Sequence, residues 1–186
     1  MGRGKLIVIS GASGVGKGTV LGKMMEKRKD LQFSVSATTR PPRPNEVDGV
    51  HYYFITKEQF QDMIAKGEFL EYDAHAANYY GTPRHQAEEK CRKGHVLLDI
   101  EPKGAAQVRK ADPDAVLIFI MPPSMQELER RLRGRGDTPE DQIALRMERA
   151  IWEMEQRGWY DYVVVNDDAD RCADEILHIL SELEEK

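Results

Sequence analysis

The sequence predicts an α/β fold with a central parallel sheet and flanking helices. Three observations carry this. Apolar, β-branched runs of strand length recur at Lys5–Ser10, His95–Ile100, Ala115–Met121 and Tyr162–Asn166. Between them lie segments whose apolar residues repeat at helical spacing. The runs are apolar nearly throughout, the pattern of strands buried on both faces in a parallel sheet joined by right-handed crossovers. The chain has 186 residues, of which 40% are hydrophobic, enough for one domain with a full core.

In chain order, the first strand runs into Gly11-Ala12-Ser13-Gly14-Val15-Gly16-Lys17-Gly18-Thr19, and a helical pattern begins with Val20, Leu21, Met24 and Met25 on one face. Strand, glycine loop, lysine and helix is the layout of a phosphate-binding loop. Its glycines allow a tight turn, its successive N–H groups point at a polyphosphate, and the helix adds its positive end. Lys17 supplies a point charge for the terminal phosphates. The hydroxyl that ordinarily follows the lysine and holds Mg²⁺ is displaced: Gly18 stands there and Thr19 comes one residue later. Thr19 is therefore expected to bond a phosphate, with the metal held mainly by phosphates and water.

A short alternating stretch at 32–36 precedes a loop from Ala37 to Gly49, where three prolines exclude helix and central strand and fix Arg40 and Arg43. His51–Ile55 reads as a strand. Thr56 with Gln59 is a capping box, Phe60, Met63 and Ile64 face inward, and Gly67 ends that helix. Two further short strands fall at 69–72 and 78–82. Thr82-Pro83 is expected to cap and begin a helix that runs to Lys93. Pro102 starts another, and Ser124 with Glu127 caps a third. Gly134, Gly136 and Thr138-Pro139 separate it from a helix whose expected inward residues are Ile143, Leu145, Met147, Ile151 and Met154. Ile176, Leu177, Ile179, Leu180 and Leu183 stripe the last helix.

Composition narrows the function classes. A net charge of −5 argues against general nucleic-acid binding, which needs a basic footprint. Cys91 and Cys172 lack metal-ligand spacing and read as reduced thiols, and the five histidines show no ligand pattern. No apolar run approaches the ~20 residues of a membrane span, and no signal peptide is evident, so a cytoplasmic location is expected.

The remaining chemistry is anionic recognition. Arg40 and Arg43 offer an anion site distinct from the glycine loop, and Tyr52 and Tyr80 bring hydroxyl donors. The glycine-flanked Arg135, with Arg146 on the following helix, suggests a closing lid that neutralises a transferring phosphoryl group. Arg130 and Arg133 fit an ordinary solvated helix face. Two anion sites suggest phosphoryl transfer between nucleotides. An acceptor that is already a phosphate anion needs no general base, which accords with the lack of any Ser-His-Asp or Cys-His arrangement.

Taken together, these motifs resemble the guanylate kinases of the nucleoside-monophosphate kinase group. The matching stretches are residues 11–19, 34–43, 49–52, 69–72, 78–82, 98–100, 131–136 and 165–168, in family order across nearly the whole chain. The resemblance implies the P-loop nucleoside-monophosphate kinase fold, with a core at 1–35, 82–125 and 151–186. It also implies a GMP-binding insertion at 36–81 and a lid at 126–150. The implied reaction is ATP with GMP, or dGMP, giving ADP and GDP, with Mg²⁺. By resemblance Ser36, Arg40, Arg43, Tyr52 and Tyr80 hold the GMP phosphate, Glu71 and Thr82 read the base, Asp99 acts near the metal or the GMP, and Asn166 lies near the adenine of ATP. Other readings are a non-catalytic interaction module of the same fold, or a kinase for a phosphorylated sugar. The intact Lys17 weighs against the first and Glu71 against the second.

Overall fold

The computed structural model describes residues 4–75, 77–134 and 139–185. In chain order these form β1 (Leu6–Gly11), α1 (Lys17–Lys27), β2 (Gln32–Phe33), β3 (Ala37–Thr38), β4 (Tyr53–Phe54) and α2 (Lys57–Ala65). Then come β5 (Phe69–His75), β6 (Asn78–Pro83), α3 (Arg84–Cys91), β7 (Val96–Asp99), α4 (Pro102–Ala111) and β8 (Val116–Met121). The chain closes with α5 (Met125–Gly134), α6 (Glu140–Glu155), a 3₁₀ turn at Gln156–Trp159, β9 (Tyr162–Val165) and α7 (Ala169–Glu184).

One sheet has five strands in the order β2-β7-β1-β8-β9, and its β2–β7 and β8–β9 pairs are parallel. The expected α/β architecture is thus present. β1 is buried along its whole length, as continuous apolarity requires of a central strand. A second sheet has the order β4-β3-β6-β5, with β3 and β5 both antiparallel to β6. The chain divides into two compact units, Met1–Val8 with Asp30–Val116, and Ile9–Lys29 with Leu117–Lys186, the divisions falling within β1, between α1 and β2, and at the start of β8.

In the first unit the small sheet is built around stacked rings. Phe60 of α2 lies 4.4 Å from the Phe69 ring centroid and 5.3 Å from that of Tyr79. The Thr56–Gln59 capping box starts α2 as expected. Two expectations change here. Ala37–Thr38 is a strand, not loop, because Ala37 pairs with Gly81 across the sheet and with Tyr53 on its other side. Thr82 does not cap α3: β6 continues to Pro83, which takes the cap position in an extended conformation, and the Thr82 hydroxyl turns to Glu71 instead. Proline is tolerated at that strand end, where no ladder donor is needed.

In the second unit α1 and α7 pack together. Val20, Leu21 and Met24 meet a stripe of Cys172, Ala173, Ile176, Ile179 and Leu180. Lys23–Asp170, Lys27–Asp174 and Arg28–Glu184 ion pairs line the seam. On α6 the expected stripe is half right. Ile143 and Met154 are buried, whereas Leu145 and Ile151 are 67% and 47% exposed. Glu153, one position from Met154, is 2% exposed.

Among the described residues no helix is long and apolar enough to cross a membrane.

Candidate active site

The second unit carries the phosphate loop. α1 begins at Lys17, so Gly18 and Thr19 lie in its first turn rather than before it. Gly16 caps the helix at φ 92°, a left-handed conformation that a side chain would strain. The loop is held from outside at two points. The Ser13 N–H donates to the Glu153 carboxylate (2.9 Å), which Arg149 also bonds. The Val15 carbonyl accepts from the Asn166 amide (2.8 Å) and from the Arg131 guanidinium (3.0 Å). Asn166, at the end of β9 and 4% exposed, is a brace of the loop, and its backbone carbonyl accepts from Arg131 as well.

The arginines of α5 thus part company. Arg131 reaches the loop while Glu127 holds it at 2.7 Å. Arg130 pairs with Glu127 and Arg133 with Glu129 and Glu140, the solvated face the sequence suggested. Arg146 is half-buried on α6, and Arg135 lies outside the described residues.

For a magnesium ion the chain offers little of its own among the described residues. No group of three or more His, Cys, Asp or Glu side chains there is arranged to hold a metal. Gly18 presents only open space where a hydroxyl-bearing side chain would begin.

The first unit carries a second cluster of the expected residues. Arg40 makes a fork-to-fork pair with Glu46 (2.7 and 2.9 Å), both side chains being 15% exposed. Its guanidinium lies over the Tyr52 ring, 5.3 Å from the centroid, with Tyr80 close enough to help hold its charge. Tyr52 and Tyr80 meet edge to face. Asp99, exposed at the end of β7, is close enough to help burial raise the Tyr52 hydroxyl. The Arg40 guanidinium holds the Glu46 carboxyl down to about 2. Ser36 sits half-buried beside this cluster, its carbonyl accepting from the Tyr53 N–H. Arg43 is exposed, and its backbone N–H caps Glu46.

Glu71 occupies the other feature of this unit. A β-bulge between Phe69 and Glu71 breaks the alternation of β5, so that Phe69, Leu70 and Glu71 are all buried in succession. Glu71 is 6% exposed, and its Oε1 accepts the Thr82 hydroxyl at 2.6 Å. Burial pushes its carboxyl up to about 7, against the opposing pull of the Thr82 hydroxyl and N–H, and nearby Asp73 and Glu101 add to the rise. A buried carboxylate without a cation is costly, and such groups mark sites that bind something.

Sequence reasoning missed Glu46, Glu153 and the role of Arg131. Glu153 left one trace, a carboxylate on the inward face of α6 set by Ile143, Ala150 and Met154. Glu46 left none, because a loop has no period from which to read a pairing.

Comparison with known proteins bears on the chain as a whole. The family model described as guanylate kinase aligns with residues 3–183. A guanylate kinase of Synechococcus sp. is 48% identical over 96% of this chain and 82% of its own. One of Nostoc sp. is 50% identical over 89% of this chain and 83% of its own. The crystal structure of guanylate kinase from Anaplasma phagocytophilum superimposes with a TM-score of 0.80 at 36% identity, covering 99% of this chain and 88% of that one. With the phosphate loop, the Arg40 cluster and the buried Glu71 all inside one alignment, the chain belongs to the guanylate kinase family.

Proposed function

We propose that this chain transfers the γ-phosphoryl group of ATP to GMP or dGMP, releasing ADP and GDP or dGDP. One observation carries the choice of acceptor: the buried Glu71 carboxylate beside the Thr82 hydroxyl. Guanine presents N1–H and its 2-amino group side by side, and a carboxylate accepts from both. Adenine has an acceptor at N1 and would face the carboxylate lone pair to lone pair. A site built to pair a particular donor rejects the analogue that lacks it, because its own buried groups go unpaired.

Around that base site, Arg40, Tyr52, Tyr80, Ser36 and Arg43 are assigned to the GMP phosphate. The Arg40–Tyr52–Tyr80 cluster supports this, because it gathers one fixed charge and two hydroxyls on and beside the small sheet. Asp99 adjoins the same cluster. The loop from Gly11 to Thr19 is assigned to the phosphates of ATP. Lys17 would neutralise charge on the transferring group, and Arg135 and Arg146 are assigned the same task. Mg²⁺, held by ATP and water, would screen the β and γ oxygens. The GMP phosphate oxygen is already an anion and attacks without a base, so the residues contribute alignment and charge. Asn166 is assigned to bracing the loop, and from resemblance to the neighbourhood of the ATP adenine as well.

The test is ADP formation with GMP, AMP, UMP or ribose 1,5-bisphosphate as acceptor. Turnover is expected with GMP and at far lower efficiency with the rest. No turnover with any acceptor would remove the enzyme reading, and equal use of GMP and AMP would remove the role of Glu71.

A further inference from the structure

α4 carries a notch and a clamp, both directed at the strand that bears Glu71. A Cβ added to Gly104, in the first turn of α4, would lie 2.5 Å from Glu71 Oε2 and 3.2 Å from its Cδ. Only a residue with no side chain leaves the carboxylate where it is. One turn on, Gln107 meets the next residue of the strand. Its Oε1 accepts the Tyr72 N–H (3.2 Å), and its Nε2 donates to the Tyr72 carbonyl (2.8 Å). β5 is an edge strand of the small sheet, so the groups of Tyr72 that face away from β6 would otherwise have no ladder partner. Residues three apart on a helix share a face, so one face of α4 supplies both features.

We propose that Gly104 and Gln107 are positioning residues that fix the Glu71 carboxylate and so set the preference for guanine. This rests on the reading of Glu71 as the group that accepts from the base. Three devices then determine where that carboxylate stands. The bulge turns Glu71 inward, Gln107 fixes the strand just after it, and Gly104 gives Oε2 room while Thr82 holds Oε1. The two faces of the carboxylate are thereby treated differently: one oxygen is bonded and the other is only accommodated. A glycine inside a helix is otherwise unfavourable against alanine, so nothing in the helix itself accounts for Gly104.

The test uses the full chain with saturating ATP and either GMP or IMP, which lacks the 2-amino group. In Gly104→Ala the added methyl displaces Oε2. The KM for GMP is expected to rise ~10-fold or more, since misplacing a contact group by about 1 Å costs that much. The advantage of GMP over IMP should shrink, the KM for ATP should stay within about twofold, and the melting temperature should be unchanged or higher, as alanine favours the helix. Gln107→Leu should raise the KM for GMP in the same selective way. Glu71→Asp, which withdraws the carboxylate by one methylene, should lose less activity in the Gly104→Ala background than in the wild type, a rescue that a merely structural role for Gly104 would not produce. Glu71→Ala is the control. If it loses GMP use while Gly104→Ala and Gln107→Leu keep a wild-type KM for GMP and a wild-type preference over IMP, the positioning role is overturned. If Glu71→Ala itself leaves the KM for GMP unchanged, the reading of Glu71 falls and the proposal with it.

Discussion

Replacing Glu71 with glutamine should make the protein more stable at alkaline pH and poorer with GMP. The Glu71 carboxyl stands at about 7 in the folded chain, against 4.5 ordinarily, because it is buried. In the unfolded chain it ionises near its ordinary value. Between these two values the folded state binds the proton and the unfolded state does not, so stability falls as pH rises through this window. Below about 4.5 both states are neutral and no cost arises; above about 7 both are charged and the cost is complete. A gap from 4.5 to about 7, at about 1.36 kcal/mol per pH unit, makes that cost roughly 3 kcal/mol. Glutamine has nearly the same shape, carries no charge, and keeps a carbonyl for the Thr82 hydroxyl. At about pH 8 the variant should therefore melt ~6–12 °C above the wild type, since 1 kcal/mol moves a chain of this size by ~2–4 °C. Near pH 5 the two should nearly coincide. The assay is thermal unfolding without nucleotide across that range. A stability difference that does not change with pH would refute the argument.

The same substitution tests the chemistry. Losing a bidentate base contact costs about 1–3 kcal/mol, a ~5- to 150-fold rise in the KM for GMP, with the KM for ATP unchanged. In the wild type, about one-tenth of Glu71 is ionised one pH unit below 7, so the KM for GMP should rise ~10-fold between about pH 8 and pH 6. The phosphate of GMP titrates near 6 in both proteins and contributes equally, so the variant isolates the Glu71 part. Parallel pH profiles in the two proteins would refute the assignment.

Three other expectations follow from the loop. Lys17→Met should leave the melting temperature unchanged and lower kcat ~100-fold or more, as removal of one charge-stabilising group does; near-normal turnover would contradict its role. Gly18→Ser should fold normally, because a Cβ there meets nothing within 4 Å, and its hydroxyl should lower the Mg²⁺ concentration needed for half-maximal rate. An unchanged Mg²⁺ titration would show that a hydroxyl at this place does not reach the ion. Asn166→Ala takes one of two donors from the Val15 carbonyl, which keeps Arg131, and should cost about 0.5–1.5 kcal/mol in denaturant unfolding. It should also raise the KM for ATP while sparing that for GMP, and a uniform loss for both nucleotides would contradict the bracing role.

What the sequence revealed depended on how local the cause was. β1, β7, β8 and β9 fall on the apolar runs because burial on two faces writes itself into composition. The phosphate loop was legible for the same reason, since its turn, lysine and helix are contiguous. β3 was not, because it is two residues long and depends on Gly81, more than forty residues away. Thr82 was misread as a cap because its hydroxyl serves a carboxylate across the β5–β6 hairpin. On α6, apolarity pointed inward at Leu145 and Ile151, yet Glu153 took the inward place because the Ser13 N–H and Arg149 meet it there. Arg40 was read from its proline-stiffened loop, Glu71 and the base-reading role of Thr82 came from resemblance, and the bulge that turns Glu71 inward has no mark in the sequence.

The carboxylates near the nucleotide residues fall into two kinds, and the difference bears on specificity. Glu46 and Glu127 are each forked onto arginine, which holds them down to about 2 and keeps them charged at any working pH. Their task is to orient Arg40 and Arg131, and an acceptor saturated by a guanidinium does that well. Glu71 is held by a hydroxyl instead, and burial lifts it to about 7. An arginine beside it would have stabilised its charge, yet would also have occupied the lone pairs that the proposed reading assigns to guanine. A carboxylate has about four acceptor positions, of which the hydroxyl and N–H of Thr82 take at most two and Gly104, lacking a side chain, obstructs none. On the proposed role of Glu71, the roughly 3 kcal/mol that this arrangement costs at alkaline pH follows from keeping a strong acceptor ready for two neutral donors, and GMP binding should relieve it.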